Sequence, residues 1–283
     1  MEYETVLLDD DGSVGTVTLN RPDRMNAYTY RLGIDLANAI VELDAREEIR
    51  AIVVTGAGSA FCAGADLETG ADTFSPERQQ AERQFRAGPA EQRPPRPARE
   101  PYELNTPIIA AINGAAVGVG LTLTMQWDIR IAAEDAKLGF VFSRRGVLPE
   151  LGSQWIVPRL VGVSRGLELL LTGTIITGRE AAAIGLVSKA VPAPDVLPAA
   201  LDLANAIAVN VAPASAAIIK RNVYRSLEEP DRRAARARES ALFAWTARQP
   251  DAREGPLAFL EKRDPQWKLA KNADFPEDLF GDS

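Results

Sequence analysis

The 283-residue chain contains no histidine. That excludes Ser-His-Asp and Cys-His nucleophile systems, and with them the histidine-containing zinc and haem sites. It contains one cysteine, Cys62, so no internal disulfide can form. Thiolate zinc and iron–sulfur sites are excluded on the same count, and no metal site is expected. Such cysteine usage fits a reducing compartment, and a cytoplasmic location is the expectation. Positive charge is also short: 32 Lys and Arg stand against 39 Asp and Glu, a formal net charge of −7. A broad nucleic-acid surface is therefore not expected, although an anionic small ligand needs only a few local Arg or Lys. The opening residues MEYETVLLDDDG are acidic and carry no signal-peptide pattern. Acid–base chemistry falls to Asp, Glu, Tyr, Lys or Cys62, or to backbone and water.

What is present suits a globular protein. Hydrophobic content of 46% can fill a sizeable core, and 25% charged residues is ordinary. The length allows one large domain or a domain with an appendage. Leu104 to Trp127 runs without a charge for long enough to span a bilayer. Pro107, Asn113 and three glycines interrupt it. A buried strand–turn–helix accounts for those residues better, and no membrane association is expected.

Two glycine-rich segments carry the chemical signal. They are VVTGAGSAFCAGADL (Val53 to Leu67) and PIIAAINGAAVGVGLTLTM (Pro107 to Met125). Each reads as a buried strand, a tight turn and a helix start. Bare N–H groups near a helix start favour a developing anion. Two such donors converging on one carbonyl oxygen would form an oxyanion hole, often the largest catalytic contribution in acyl chemistry.

Around them the chain alternates. Val14 to Leu19 alternates like a half-buried strand, and Asn20 to Asp23 punctuate a turn. Leu32, Leu36, Ile40 and Leu43 then fall at helical spacing. Strands are expected at Ala51 to Val54, Asp128 to Ala132 and Gly185 to Val191, with a capped helix at Thr177 to Ile184. Repeated alternation predicts an α/β fold with mostly parallel pairing. After about Ala193, three helices follow without a strand: Asp195 to Val209, Ala212 to Leu227 and Arg232 to Thr246. Gly70 to Pro101 lacks a sustained apolar period and reads as a surface insert.

Several ordered motifs together resemble the crotonase superfamily, the enoyl-CoA hydratase/isomerase fold. They are LNRPDRMNA (Leu19 to Ala27), AFCAGADL (Ala60 to Leu67) and AAINGAAVGVGLTLTMQWDIRIA (Ala110 to Ala132). RRGVLPELGSQWIVPRLVG (Arg144 to Gly162), LTGTIITGREAAAIGLV (Leu171 to Val187) and EGPLAFLEKRDP (Glu254 to Pro265) complete the set. The resemblance implies a spiral of ββα units over residues 1–193, with a variable insert at about 70–101. It also implies a helical C-terminal oligomerisation region over 194–283, and homotrimers or hexamers. The exposed-reading apolar residues Leu242, Phe243 and Trp245 in that tail need a partner or a core of their own. The implied ligand is an acyl-CoA thioester, so coenzyme A arrives with the substrate and no separate cofactor is expected.

The resemblance also implies roles. The oxyanion donors fall on the N–H groups of Ala65 and Val119, the latter a valine where glycine is usual. The backbone around Ala63, Ala65 and Leu67 falls on the adenine-binding edge. Arg24 falls near the ligand phosphates, and Lys262 falls where a neighbouring subunit reaches them. The two glutamates of the hydratases fall on Thr122 and Phe142, which cannot exchange a proton as carboxylates do. Thr122 then reads as a core helix residue and Phe142 as a wall of the acyl pocket. One acid stands where single-acid isomerases carry theirs: Glu150, in VLPELGS. Val147, Leu148, Leu151 and Trp155 are expected to keep it dry and raise its pKa. The expected reaction is double-bond isomerisation with Glu150 as the single acid/base. Hydration with a non-standard acid set is the alternative, and a non-catalytic acyl-CoA binder is the rival of another class. Asp66 is expected to cap a turn, and Cys62 to be a small core residue. A dinucleotide fingerprint fails, because Gly118 and Gly120 would need a third glycine where Leu123 stands.

Overall fold

The computed structural model describes residues 3–68, 70–77, 80 and 99–280. Its plan follows from paired strands that divide between two sheets. β1 (Val6–Asp10) and β2 (Val14–Leu19) form an antiparallel hairpin. Helix α1 (Tyr30–Ala45) begins where the Thr29 hydroxyl accepts from the Leu32 N–H, and it buries Leu32, Leu36, Ile40 and Leu43. β3 (Ala51–Gly56) is buried along its whole length and pairs in parallel with β2.

Three ββ units then repeat: β3 with β4 (Ala60–Cys62), β5 (Ile108–Ile112) with β6 (Ala115–Val117), and β7 (Ile129–Ala133) with β8 (Lys137–Gly139). The first strand of each unit joins one sheet and the second joins the other. With β9 (Ile176–Thr177) and β10 (Lys189–Val191), the sheet orders are β1-β2-β3-β5-β7-β10 and β4-β6-β8-β9. Each unit therefore steps one strand along both sheets, which produces the spiral expected from the sequence. Helix α2 (Val119–Thr124) follows the second unit. The uncharged stretch 104–127 is thus two strands and a six-residue helix. No single helix among the described residues is long and apolar enough to cross a membrane.

α3 (Ser153–Val161) and α4 (Val163–Thr172) follow β8. Next comes α5 (Gly178–Ala183), whose start is a capping box between Thr177 and Glu180. The expected strand from Gly185 is shortened to β10, because Gly185 turns with φ +80° at the end of α5.

The tail comprises α6 (Val196–Asn210), α7 (Pro213–Glu228), α8 (Arg232–Thr246) and α9 (Asp251–Glu261). α6 buries Val196, Ala200, Ala204 and Ala208 at four-residue spacing within the main core. Beyond α9, the buried Lys271 donates to the Asp44 carbonyl and the Thr106 hydroxyl, fastening the tail to the end of α1. Of the expected insert, residues 81–98 lie outside the described residues. Its described ends include 3-10 turns at Gly70–Phe74 and Pro101–Glu103. Arg99, the insert arginine that is described, faces Glu277 at 3.3 Å.

Candidate active site

The two glycine-rich turns meet because glycine removes the atoms that would hold them apart. A Cβ on Gly64 would stand 3.0 Å from the Val117 carbonyl oxygen. Gly114 packs in the same way against Ser59, and Gly120 against Cys62. Asn113 ties the turns further: its amide nitrogen donates to the carbonyls of Gly56 and Gly58, and its oxygen accepts from the Gly56 N–H.

The first turn differs from the sequence expectation. Among the described residues, no helix starts directly after Ala65. Residues 63–67 instead run beside Tyr28, whose N–H donates to the Gly64 carbonyl at 2.7 Å and whose carbonyl accepts from the Asp66 N–H at 2.9 Å. The physical cause is tertiary. The Asp66 carboxylate is held by Arg21 at 3.0 Å, Arg24 at 3.2 Å and the Glu68 N–H at 3.1 Å, so it pins a turn and does not cap a helix. Burial pushes the Asp66 carboxyl up, but these donors outweigh burial and hold it below the usual aspartate range. The second turn conforms: Gly118, at φ +55° and ψ −126°, leads directly into α2.

A cavity of about 350 Å³ opens between the two turns. Ala63, Ala65, Asp66 and Leu67 line it from the first turn, and Val117, Gly118 and Val119 from the second. Phe142, Arg145, Val147 and Glu150 close another side. The pairing of Tyr28 with residues 64–66 uses the Gly64 carbonyl and the Asp66 N–H, on either side of Ala65, and leaves the Ala65 N–H out. Val119 is the first residue of α2, where an N–H has no helical acceptor. Among the described residues, neither N–H donates a hydrogen bond.

Thr122 is fully buried, and its hydroxyl donates back to the Val119 carbonyl at 3.2 Å, as its reading as a core residue requires. Phe142 is buried and lines the cavity. Burial pushes the Cys62 thiol up to about 11, which fits a packing residue and not a nucleophile.

The surroundings of Glu150 correct the expectation of a dry acid. Leu148 is 77% exposed, Leu151 is 39% exposed and Glu150 is itself exposed. The reason is local. Residues 143–152 form a 3-10 turn and loop at the lip of the cavity, reversing at Gly146 and Gly152 with φ +72° and +65°. Glu150 stands before α3, where its carbonyl accepts from the N–H and hydroxyl of Ser153.

Two expected binding residues lie outside the cavity wall. The Arg24 guanidinium is taken up by Asp66 and by Glu68 at 3.6 Å. Lys262 ends α9 in the left-handed region, at φ +54°. Sequence reading had missed Tyr28 and Asn26. Asn26 is fully buried at φ +53°, and its amide nitrogen donates to the carbonyls of Ala57 and Ala60. An asparagine just after the Pro22 turn was the available signal, since asparagine tolerates the left-handed region.

Comparison with known proteins agrees with this geometry. The enoyl-CoA hydratase/isomerase family profile matches residues 9–270. Enoyl-CoA hydratase ACTT3 of Alternaria alternata is 37% identical over 261 residues, covering 92% of this chain and 84% of that protein. The 1,2-epoxyphenylacetyl-CoA isomerase of Escherichia coli K12 is 32% identical over 266 residues, covering 93% and 98%. The crystal structure of enoyl-CoA hydratase from Bacillus anthracis superposes with a TM-score of 0.81 at 31% identity, covering 94% of this chain and 99% of that one.

Proposed function

From the premise that this chain belongs to the enoyl-CoA hydratase/isomerase family, within the crotonase superfamily, we propose that it shifts the double bond of an enoyl-CoA thioester. The N–H groups of Ala65 and Val119 receive the thioester oxygen and stabilise the enolate that forms. Glu150 takes a proton from one carbon and returns it two bonds away. The double bond moves, water is not consumed, and the carboxylate is regenerated.

One observation carries this reading. Two carboxylates line the cavity, and Asp66 is committed to Arg21, Arg24 and the Glu68 N–H. Glu150 lines the same cavity as Ala65 and Val119, and it is the carboxylate assigned to the reacting carbons. The adenine edge is assigned to Ala63, Ala65 and Leu67. Arg24 and a neighbouring subunit's copy of Lys262 are assigned to the phosphates.

Phe259, Leu260 and Phe243 are 84%, 76% and 73% exposed in the single chain, which supports region 194–283 as the oligomerisation surface of a trimer or hexamer. The protein is placed in the cytoplasm, with no cofactor beyond the coenzyme A of the substrate.

Hydration is the second reading, favoured by the hydratase names of several relatives. The test is a screen of 2-enoyl and 3-enoyl thioesters, with positional isomers resolved by chromatography and water addition identified by mass. An isomer of unchanged mass supports the proposal. A product heavier by one water replaces it with hydration. Thermal stabilisation by an acyl-CoA without any product replaces it with a binding protein.

A further inference from the structure

The direction of the Ala65 N–H is set by its neighbours. The Ala63 N–H donates to the Met25 carbonyl at 3.1 Å, the Gly64 carbonyl accepts from the Tyr28 N–H at 2.7 Å, and the Asp66 N–H donates to the Tyr28 carbonyl at 2.9 Å. These bonds fasten the first glycine turn to residues 25–28, with Ala65 between the last two. Where residues 25–28 stand therefore decides where the Ala65 N–H points.

Asn26 fixes that place. It is fully buried. Its side-chain oxygen accepts from the Arg21 N–H, and its amide nitrogen donates to the Ala57 and Ala60 carbonyls, all three at 2.8 Å. Ala57 and Ala60 bracket the turn that enters β4, so one amide ties residues 21–28 to the strand leading into the glycine turn. Gly58 in that turn closes on Pro22, where a Cβ would stand 3.2 Å from the Pro22 Cβ. Met25 and Asn26 both lie in the left-handed region, at φ +49° and +53°. Two such residues in succession reverse the chain, so that the Met25 carbonyl and the Tyr28 N–H face the same glycine turn. Asparagine tolerates that backbone. Its amide also has the acceptor for one N–H and the two donors for two carbonyls, a set that aspartate and serine lack.

We propose that Asn26 is a positioning residue of the oxyanion hole, aiming the Ala65 N–H at the thioester oxygen without touching the substrate. The inference rests on the oxyanion-hole reading above and assigns the group that orients one of its two donors. Among the described residues, the cavity wall does not include Asn26, so its loss acts through Ala65 and not through a lost ligand contact. Orientation matters because a hydrogen bond weakens steeply as it bends, and the loss is largest where negative charge develops on the oxygen.

The test reads the thioester carbonyl directly. Butanoyl-CoA labelled with carbon-13 at the thioester carbon has no double bond to move, and isotope-edited infrared spectroscopy reports its polarisation when bound. In the wild type the bound carbonyl should stretch at a lower frequency than the free one. Asn26→Gly keeps the left-handed backbone and removes the amide. It is expected to lose about half of that frequency shift, one donor of two, and to bind butanoyl-CoA within about three-fold of the wild type. Its turnover of an enoyl thioester should fall by ~100-fold, the scale of one oxyanion donor. Asn26→Ser retains one donation and should lie between the two, and it is the variant to measure where glycine impairs folding. Leu43→Ala is the control. Leu43 is buried near the far end of α1 and is not part of the cavity wall, so its truncation weakens the core alone and should leave the carbonyl frequency unchanged.

A wild-type carbonyl frequency in the folded Asn26 variants overturns the positioning role, as does an equal change in Leu43→Ala. A bound wild-type ligand with an unshifted carbonyl overturns the oxyanion hole itself, and absence of binding overturns the acyl-CoA reading.

Discussion

Gly120 packs its bare Cα against Cys62 so closely that a Cβ there would overlap the Cys62 carbonyl oxygen and stand 2.8 Å from the Cys62 Cβ. This contact seats helix α2 on strand β4, and with it Val119 at the cavity wall. The opposing atoms are mostly backbone and cannot rotate away.

Gly120→Ala should therefore lower stability by about 3 kcal/mol, the upper end for overpacking, and reduce acyl-CoA binding as α2 lifts. Gly12→Ala is the comparison: Gly12 has φ +94° but nothing within 4 Å of a built Cβ. Its cost should be limited to backbone strain, about 1 kcal/mol, with binding unchanged. Denaturant unfolding of the two variants separates crowding from strain. Equal losses would argue against a close-packed α2–β4 contact.

Glu150→Gln should retain acyl-CoA affinity and lose turnover by at least ~100-fold. Thr122→Ala and Phe142→Ala should cost far less in the proton-transfer step, since neither side chain carries a carboxyl. Single-turnover kinetics with a 3-enoyl thioester make the comparison. Turnover that survives Glu150→Gln would remove the isomerase mechanism.

Asp66→Asn should act on stability first. The change leaves Arg21 and Arg24 without their shared carboxylate, at a cost of about 2 kcal/mol. The Asp66 pKa lies below its unfolded value, so its stabilisation is present above about pH 4 and fades as the pH falls through the folded value. The acid limb of the unfolding curve should flatten in Asp66→Asn. A turnover loss as large as that of Glu150→Gln, in a folded variant, would instead give Asp66 a role in the chemistry.

Lys271 supplies an alkaline signature. Burial lowers its pKa from 10.5 to about 8 despite the nearby Asp44 carboxylate. Below pH 8 both folded and unfolded chains hold the proton, and the cost of the buried charge is complete. Between about pH 8 and 10 the unfolded chain binds more protons, so stability rises with pH, by roughly 3 kcal/mol at most. Above about pH 10 the slope should reverse. Burial, together with Glu42 beside Tyr3 and Asp128 beside Tyr224, holds both phenols neutral in the fold after they ionise in the unfolded chain. Lys271→Met should remove the rise, as measured by chemical denaturation across pH 7 to 10. An unchanged rise would show that another group carries it.

Light scattering at micromolar concentration should give the mass of three or six chains. Phe259→Glu, at an 84% exposed position, should shift that mass downward while keeping the fold. A wild-type monomer would remove the assembly from the reading.

Much of the fold was legible because the signals are local. The alternation of Val14 to Leu19 became β2, the spacing of Leu32 to Leu43 became the buried face of α1, and Thr177 with Glu180 closed a capping box. The glycine turns were legible as turns, and Thr122 as a core helix residue. The residue facing Asp66 was not: Arg21 and Arg24 reach it across the β2–α1 connection, and no short-range pattern encodes that meeting. The expected dry setting of Glu150 failed for a related reason. Leu148 is apolar, but apolarity does not state which side of a lip a residue takes, or whether another chain covers it.

By itself, the amino-acid sequence determined the order of strands and helices, the glycines that permit close backbone approach, and the absence of histidine chemistry and of an internal disulfide. Those depend on side-chain period, turn preference and composition, which act over a few residues. The tertiary structure decided which glycine turn faces which, that Tyr28 pairs with the first of them, and that Asp66 is consumed by arginines while Glu150 lies exposed at the lip. Each of these depends on packing between segments far apart in the chain, where burial and ion pairing override local preference.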